Sequence, residues 1–408
     1  MFLAQRSGFA EQLNAVAVAR ARLGDVALTD LSDTNPTRHG LTDPAITEAL
    51  ARAATRSGGY DPDPRGPIRA RAALAERFGG EPGDYWLTPG TSQAYGWLFA
   101  LLADPGEVVA TPRPGYPLVE PLAQLAGIDV AYYPAHYLHP HGWEYDLDEL
   151  AAVAARPGVR AVVAVHPNNP TGGYAPAALA DACRGLPLIA DEVFWPFDTP
   201  TAGPAPTGSK RPALAGNQPG GKAGTRPAAS ARPPRLSGAL DHLVFGLDGF
   251  SKLLAAPQLK LGWIRLSGPR GQTALAAAAL DRIADAYLPV SGPIAEAVPD
   301  LLALVDATVR RVRERLAGNL ALAAARFDGG AYRVRRCAGG WTALVDVPRI
   351  RPDDELVVAL LERGRLIVHP GWFYDLDDAG TLALSLLPSP AAFARGCELL
   401  RDTIDALG

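Results

Sequence analysis

Two lysines, Lys252 and Lys260, flank a proline-interrupted apolar turn in the stretch GFSKLLAAPQLKLGWI. A lysine desolvated at the end of an apolar strand loses pKa, and its neutral amine attacks carbonyl carbons. A lysine beyond the turn offers a positive charge to an anion. Each one, taken alone, is equally a solvated surface charge. Other segments supply matching chemistry. HPNNPTGG presents Asn168 and Asn169 beside a proline-stiffened turn, where an amide either bonds a ligand oxygen or closes an Asx turn. DEVF sets Asp191 directly after the apolar run LPLIA, and a carboxylate there needs a cationic partner or a proton. GTSQAYGWLFALL opens with Thr91 and Ser92 at a helix start, a place for an anion or for an ordinary cap. PRPGYP contributes the ring of Tyr116.

Together these are a phosphate cradle, a ring-sized aromatic, an amide for a phenolic oxygen, a carboxylate for a ring nitrogen and an imine-forming lysine. One cofactor asks for all five, pyridoxal 5′-phosphate.

The elements that must hold them are legible from hydrophobic patterning. GEVVATP, AVVAVHPNNP, LPLIADEVF, HLVFGLDGFSK and LKLGWIRL read as buried strands without polar alternation, and ALAERFGG reads as a helix stopped by glycine. Such strands separated by helices predict a three-layer α/β/α domain around a mostly parallel sheet, with ligands at the strands' carboxyl ends. The reactive residues fall at those ends. From about Leu301 the pattern turns helical and then mixed, predicting a smaller α+β C-terminal domain. The expected organisation is an N-terminal segment over 1–44 packing on the small domain, a large cofactor-binding domain over 45–290 and the small domain over 291–408. Within the large domain, Thr199–Gly238 is dominated by Pro, Gly, Ala and Ser, with only basic charges, and reads as a disordered insertion.

The whole chain limits the function classes. It has 408 residues, a formal charge of −4 and 48% hydrophobic residues, which gives no reason to expect nucleic acid or an acidic membrane as partner. Cys183, Cys337 and Cys397 are scattered, with no spacing for zinc or a disulfide framework. The first residues carry no leader pattern and no apolar run reaches a membrane span, so the expectation is a cytoplasmic protein.

In family order, NPT (Asn35–Thr37), Tyr60 with Gly66, GTSQA, PRPGYP, HPNNPTG, DEVF and SK followed by KLGW resemble the class I/II aminotransferases of fold-type I. The resemblance implies that Lys252 carries the internal aldimine and shuttles the proton, with Asp191 keeping the ring nitrogen protonated. It also implies that Asn169 binds the phenolic oxygen and Tyr116 stacks on the ring, with Phe194 close by. Thr91, Ser92 and Lys260 would hold the phosphate, and Tyr60 would reach the phosphate of a neighbouring subunit, making a homodimer. Arg113–Pro114 and Asn169–Pro170 are the implied cis bonds. An amino group would pass between an amino acid or amine and a keto acid. A lyase or cyclase working by elimination or replacement is the alternative, and a scaffold that merely binds the cofactor is a third reading.

The chain departs from the family pattern in several places. Lys260 stands where arginine is usual, Phe194 where tyrosine is common, and Gly249 where a phosphate-binding serine is common. The strand TLALSLLPS has Ala383 where the carboxylate-binding arginine is expected. Either the substrate lacks an α-carboxylate there or another cation supplies the clamp. Arg38 beside Asn35 is the first candidate, followed by Arg69, Arg365 and His369. His369, Trp372 and Phe373 in HPGWFYDL would form a bulky substrate wall, pointing to an apolar or aromatic substrate side.

Overall fold

The structure, a computed structural model, describes residues 14–60, 62–199 and 232–408. The large sheet has eight strands: β1 (Tyr85–Thr88), β2 (Val108–Arg113), β3 (Asp129–Leu138), β4 (Gly142–Tyr145), β5 (Val159–Val165), β6 (Leu188–Asp191), β7 (Val244–Gly249) and β8 (Gly262–Ser267). Their spatial order is β1-β8-β7-β6-β5-β2-β3-β4. β7, β6, β5, β2 and β3 run parallel, while β8, β1 and β4 are antiparallel to their neighbours.

The continuous apolar runs follow from burial on both faces. Successive residues point to opposite sides, so Val163, Ile189 and Phe245 enter one core with Trp86, Phe99 and Leu280. Val162, Leu188 and Val244 enter the other, with Tyr133 and Leu150. Neither face of a central strand has room for a polar residue until the strand ends. Parallel pairing then brings the ends at Val165, Asp191 and Gly249 to one edge of the sheet.

The second sheet is antiparallel: β9 (Arg333–Val334), β10 (Thr342–Asp346), β11 (His369–Pro370) and β12 (Thr381–Ser385), in the order β9-β10-β12-β11. Its Ala343, Val345, Leu382 and Leu384 pack with Phe327 and Phe393 from the helices Val305–Phe327 and Pro390–Asp405. Leu31 joins that same cluster, and Thr29–Asp30 pairs in parallel with Leu366–Ile367.

The expected insertion needs correction at its ends; residues 200–231 lie outside the described residues. Thr199 is buried and its hydroxyl donates to the Cys337 carbonyl at 3.0 Å. Residues 232–238 are packed as well. The Arg232 guanidinium lies 3.8 Å from the centre of the Trp195 ring. Arg235 bridges Glu192 (3.1 Å) and Asp248 (2.8 Å), both buried, and Glu192 also accepts the N–H groups of Leu236 and Ser237. A composition window over proline and alanine is blind to such pairing, because the partners lie on β7 and just beyond β6. Burial pushes the Asp248 carboxyl up to about 6, with Arg235 working against it.

Removing one member of a buried charge cluster leaves the others desolvated and unpaired. Arg235→Ala should therefore cost about 3–5 kcal/mol in urea unfolding at pH 8. The loss should shrink as pH falls toward about 6, because Asp248 without Arg235 takes up its proton at a higher pH than it does in the wild type.

Candidate active site

Lys252 sits on a short helix, Phe250–Leu253, that opens directly from the end of β7. Its Nζ lies 5.4 Å from the centre of the Phe194 ring and 5.0 Å from that of Trp341, an indole of the small domain. Those two rings meet edge to face at 5.5 Å. Burial lowers the Lys252 amine to about 8, and the charge of Asp191 opposes the shift.

Asp191 ends β6. Its Oδ1 accepts the Val193 N–H at 3.3 Å and its Oδ2 accepts the Tyr95 hydroxyl at 3.1 Å. Burial raises this carboxyl to about 6, against those two hydrogen bonds and the charge of Lys252. A cation reaching Asp191 would recover the solvation that burial removed.

The helix Thr91–Leu102 starts at this edge, capped by Gly90 at φ 145°. The N–H groups of Gln93 and Ala94 return to the Gly90 carbonyl, so those of Thr91 and Ser92 precede the first intrahelical bonds. A Cβ at Gly90 would lie 3.7 Å from Lys260 Nζ, which places that ammonium beside the helix start. Lys260 is held there by a left-handed backbone, φ 49° and ψ 48°. Glycine at 249 and 262 permits a close approach: a Cβ on Gly249 would come within 3.0 Å of Gly262 Cα, and one on Gly262 within 3.3 Å of Gly90 Cα. A serine at position 249 has no room without moving backbone.

Asn169 Oδ1 accepts the hydroxyl of Thr342 on β10 at 3.3 Å, joining the two sheets across the site. Asn168 donates its Nδ2 to the Pro114 carbonyl at 2.8 Å, while its Oδ1 is buried without a partner, as is the Trp341 indole N–H. The expected cis bonds Arg113–Pro114 and Asn169–Pro170 are both present, together with His166–Pro167. Tyr116 is 50% exposed, with its ring 6.5 Å from that of Tyr374.

Lys252, Asp191, Asn169, Phe194, Thr91, Ser92 and Lys260 thus converge on one edge. The remaining candidates are placed differently. Tyr60 is 74% exposed. Asn35 spends its side-chain oxygen capping its own turn, on the Thr37 N–H and hydroxyl. The Arg38 side chain is 69% exposed and pairs with Asp33 at 3.4 Å. Arg69 pairs with Glu296, and Arg365 caps a helix in a left-handed conformation. His369 stacks on Phe373 at 4.4 Å and shares a hydrogen bond with the Tyr374 hydroxyl, and burial lowers its pKa. Of the three residues expected to form a substrate wall, His369 and Phe373 stack on each other, while Trp372 is 36% exposed. Tyr95, Trp341 and Thr342 were missed. Tyr95 is four residues after Thr91 and so lies on the same helix face, a signal the spacing carries; the other two depend on how the small domain docks.

The family model described as aminotransferase class I and II matches residues 28–390. The chain belongs to that family. Bovine tyrosine aminotransferase is 34% identical over 166 residues, and this match spans 38% of the chain and 36% of the bovine protein's length. An alanine aminotransferase of Mycobacterium tuberculosis is 25% identical over 374 residues, covering 87% of this chain and 74% of that protein. A solved structure titled alanine aminotransferase from Pyrococcus furiosus superposes with a TM-score of 0.78 at 19% identity, covering 98% of this chain and 100% of that one. At that identity the likeness is one of fold, and it bears out the three-layer large domain and the separate antiparallel sheet. Among the described residues no helix is long and apolar enough to cross a membrane, and no His, Cys and carboxylate cluster is arranged for a metal ion.

Folding keeps the Lys252 amine neutral down to about pH 8, whereas an ordinary lysine holds its proton up to 10.5. The stability linked to this group is therefore full above pH 10.5 and is lost as pH falls through about 8. Lys252→Met should stabilise the cofactor-free protein at pH 7 by about 3 kcal/mol in urea unfolding, and the gain should vanish at high pH.

Proposed function

We propose that this protein is a pyridoxal-phosphate-dependent transaminase that moves an amino group from a donor to a keto acceptor. The observation that carries the reading is the buried Lys252 amine beside an Asp191–Tyr95 pair, with an anion cradle at the same edge. The donor set fits the cofactor. The Thr91 and Ser92 N–H groups, the helix dipole and Lys260 would receive the phosphate. Lys260 supplies charge without the two-pronged geometry of a guanidinium, and the tight glycine packing at 249 leaves the backbone to do what a hydroxyl would. Asp191 would face the pyridinium nitrogen, Asn169 the phenolic oxygen, and Tyr116 and Phe194 the ring. When bound, the cofactor supplies an electron sink that lets the donor's Cα–H bond ionise.

The protein's own share is positional. Burial brings Lys252 down to about 8, so a fraction of the amine is free of its proton near neutral pH; it would hold the aldehyde and, once released, carry the proton from the donor's Cα to the cofactor carbon. Asp191, with its second oxygen tied to Tyr95, holds one orientation. Phe194 and Trp341 exclude water around the amine. Phe194 offers no hydroxyl to the phenolic oxygen, which leaves Asn169 as the hydrogen-bond donor there. Asn35, Arg38, His369 and Trp372 are proposed to border the substrate.

The active unit is proposed to be a homodimer in the cytoplasm, with Tyr60 reaching the partner's phosphate. The exposure of Tyr60, Ile68, Tyr287 and Leu288 supports an apolar contact, and Arg65 ties the segment between Tyr60 and Ile68 to Asp281 on the helix that ends at Tyr287.

Holoprotein mixed with an amino donor and no acceptor should lose its aldehyde-form absorbance once, stoichiometrically, and regain it when a keto acid is added. Release of ammonia without that cycle would contradict the reading. Lys252→Ala and Asp191→Ala should each lower kcat by about 10²–10⁴-fold with the fold intact by circular dichroism. Tyr60→Phe should weaken cofactor retention in dialysis while leaving the sedimenting mass unchanged.

A further inference from the structure

We infer that the amino donor is a primary amine with an uncharged, apolar or aromatic body and no carboxylate on its amino-bearing carbon. The inference rests on the transaminase reading and names its substrate class. Thr342 reaches Asn169, so its side of the small sheet looks at the site. Strand alternation puts Leu344 on that same side. The register sets Thr342 opposite Ser385 and Leu344 opposite Ala383, and His369 pairs with Ala383 from the other neighbour. The wall so formed consists of Leu344, Ala383, Tyr374 and Leu376, with Trp143 and Phe373 packed against it.

A carboxylate pressed on this wall would lose its water and find a methyl group opposite. The cations that border it are already engaged. Arg335 binds Asp346 at 2.7 Å, Thr381 at 2.9 Å and Asp378 at 2.9 Å. Arg113 faces Asp375 and Asp377 at 3.7 and 3.8 Å. Arg38 and Arg69 keep their own carboxylates, and His369 is held toward its neutral form by burial. The groups left open are neutral: the indole N–H of Trp143, packed against the wall, and that of Trp341, whose ring lies 5.0 Å from Lys252 Nζ, are both buried without partners. They suit a hydroxyl, ether or carbonyl oxygen. Nitrogen and an electron pair pass from the amine to the cofactor's carbonyl carbon, and the amine leaves as an aldehyde or ketone whose oxygen comes from water.

Pairs of donors that differ only in the carboxylate test this on the holoprotein: 2-phenylethylamine against L-phenylalanine, tyramine against L-tyrosine, isobutylamine against L-valine. In single-turnover half-reactions the amine of the best pair should have the higher kcat/KM by at least about tenfold. Ala383→Arg should swing that ratio toward the amino acid, while Ala383→Val should keep it. Binding gives a second readout: tryptophan emission titrated with 2-phenylethanol should saturate at lower concentration than with phenylacetate. Faster turnover of the amino acids by the wild type, or tighter binding of phenylacetate, would overturn the inference and leave the transaminase reading standing. No turnover of any amine or amino acid by cofactor-loaded protein would overturn both.

Discussion

An amine and a carboxylate, Lys252 and Asp191, are both taken out of water at neighbouring strand ends, and neither has enough nearby to restore what it lost. Burial lowers one to about 8 and raises the other to about 6. A core that held such groups for packing alone would be more stable with apolar residues in their place. The arrangement makes sense as the receptor for a group that pairs with the carboxylate and reacts with the amine. The parallel sheet is what makes it possible, since burial on both faces confines polar residues largely to the strand ends, and parallel pairing brings those of Asp191 and Gly249 to one edge.

The surroundings preserve that poise. Tyr95 fixes one Asp191 oxygen from the helix that also presents the anion cradle, so the two functions share one rigid body. One residue beyond Asp191, Glu192 belongs to the Arg235–Asp248 cluster, and Asp248 in turn accepts the Gly249 N–H at the start of the turn that leads to Lys252. The strand ends that carry Asp191 and lead to Lys252 are thus braced from behind by the residues that close the low-complexity stretch. The small domain supplies Trp341 above the amine and Thr342 on Asn169, so docking of the two domains completes the site.

Much of this was legible in the chain. VVATP, VRAVVAV, LIAD and VFGLDG announce buried strands because they carry no polar alternation, and the polar clusters that follow mark their ends. Edge strands were harder: Tyr85–Thr88 is short and Gly142–Tyr145 mixes Trp with Glu, so neither has a period to read. Arg235 was hidden by its neighbours' composition, since its value lies in partners brought by the fold. The proposed substrate wall was legible only as a question, raised by Ala383. Its answer needed the register that sets this methyl opposite Leu344.

The central claim is that the ε-amine of Lys252, and no other, holds the cofactor aldehyde. Reducing the loaded protein with borohydride, digesting it and mapping the tagged peptide by mass spectrometry tests that claim directly. The account predicts one pyridoxyl adduct per chain, on Lys252. An adduct on Lys260 or elsewhere, or none in protein that retains the cofactor, would contradict it.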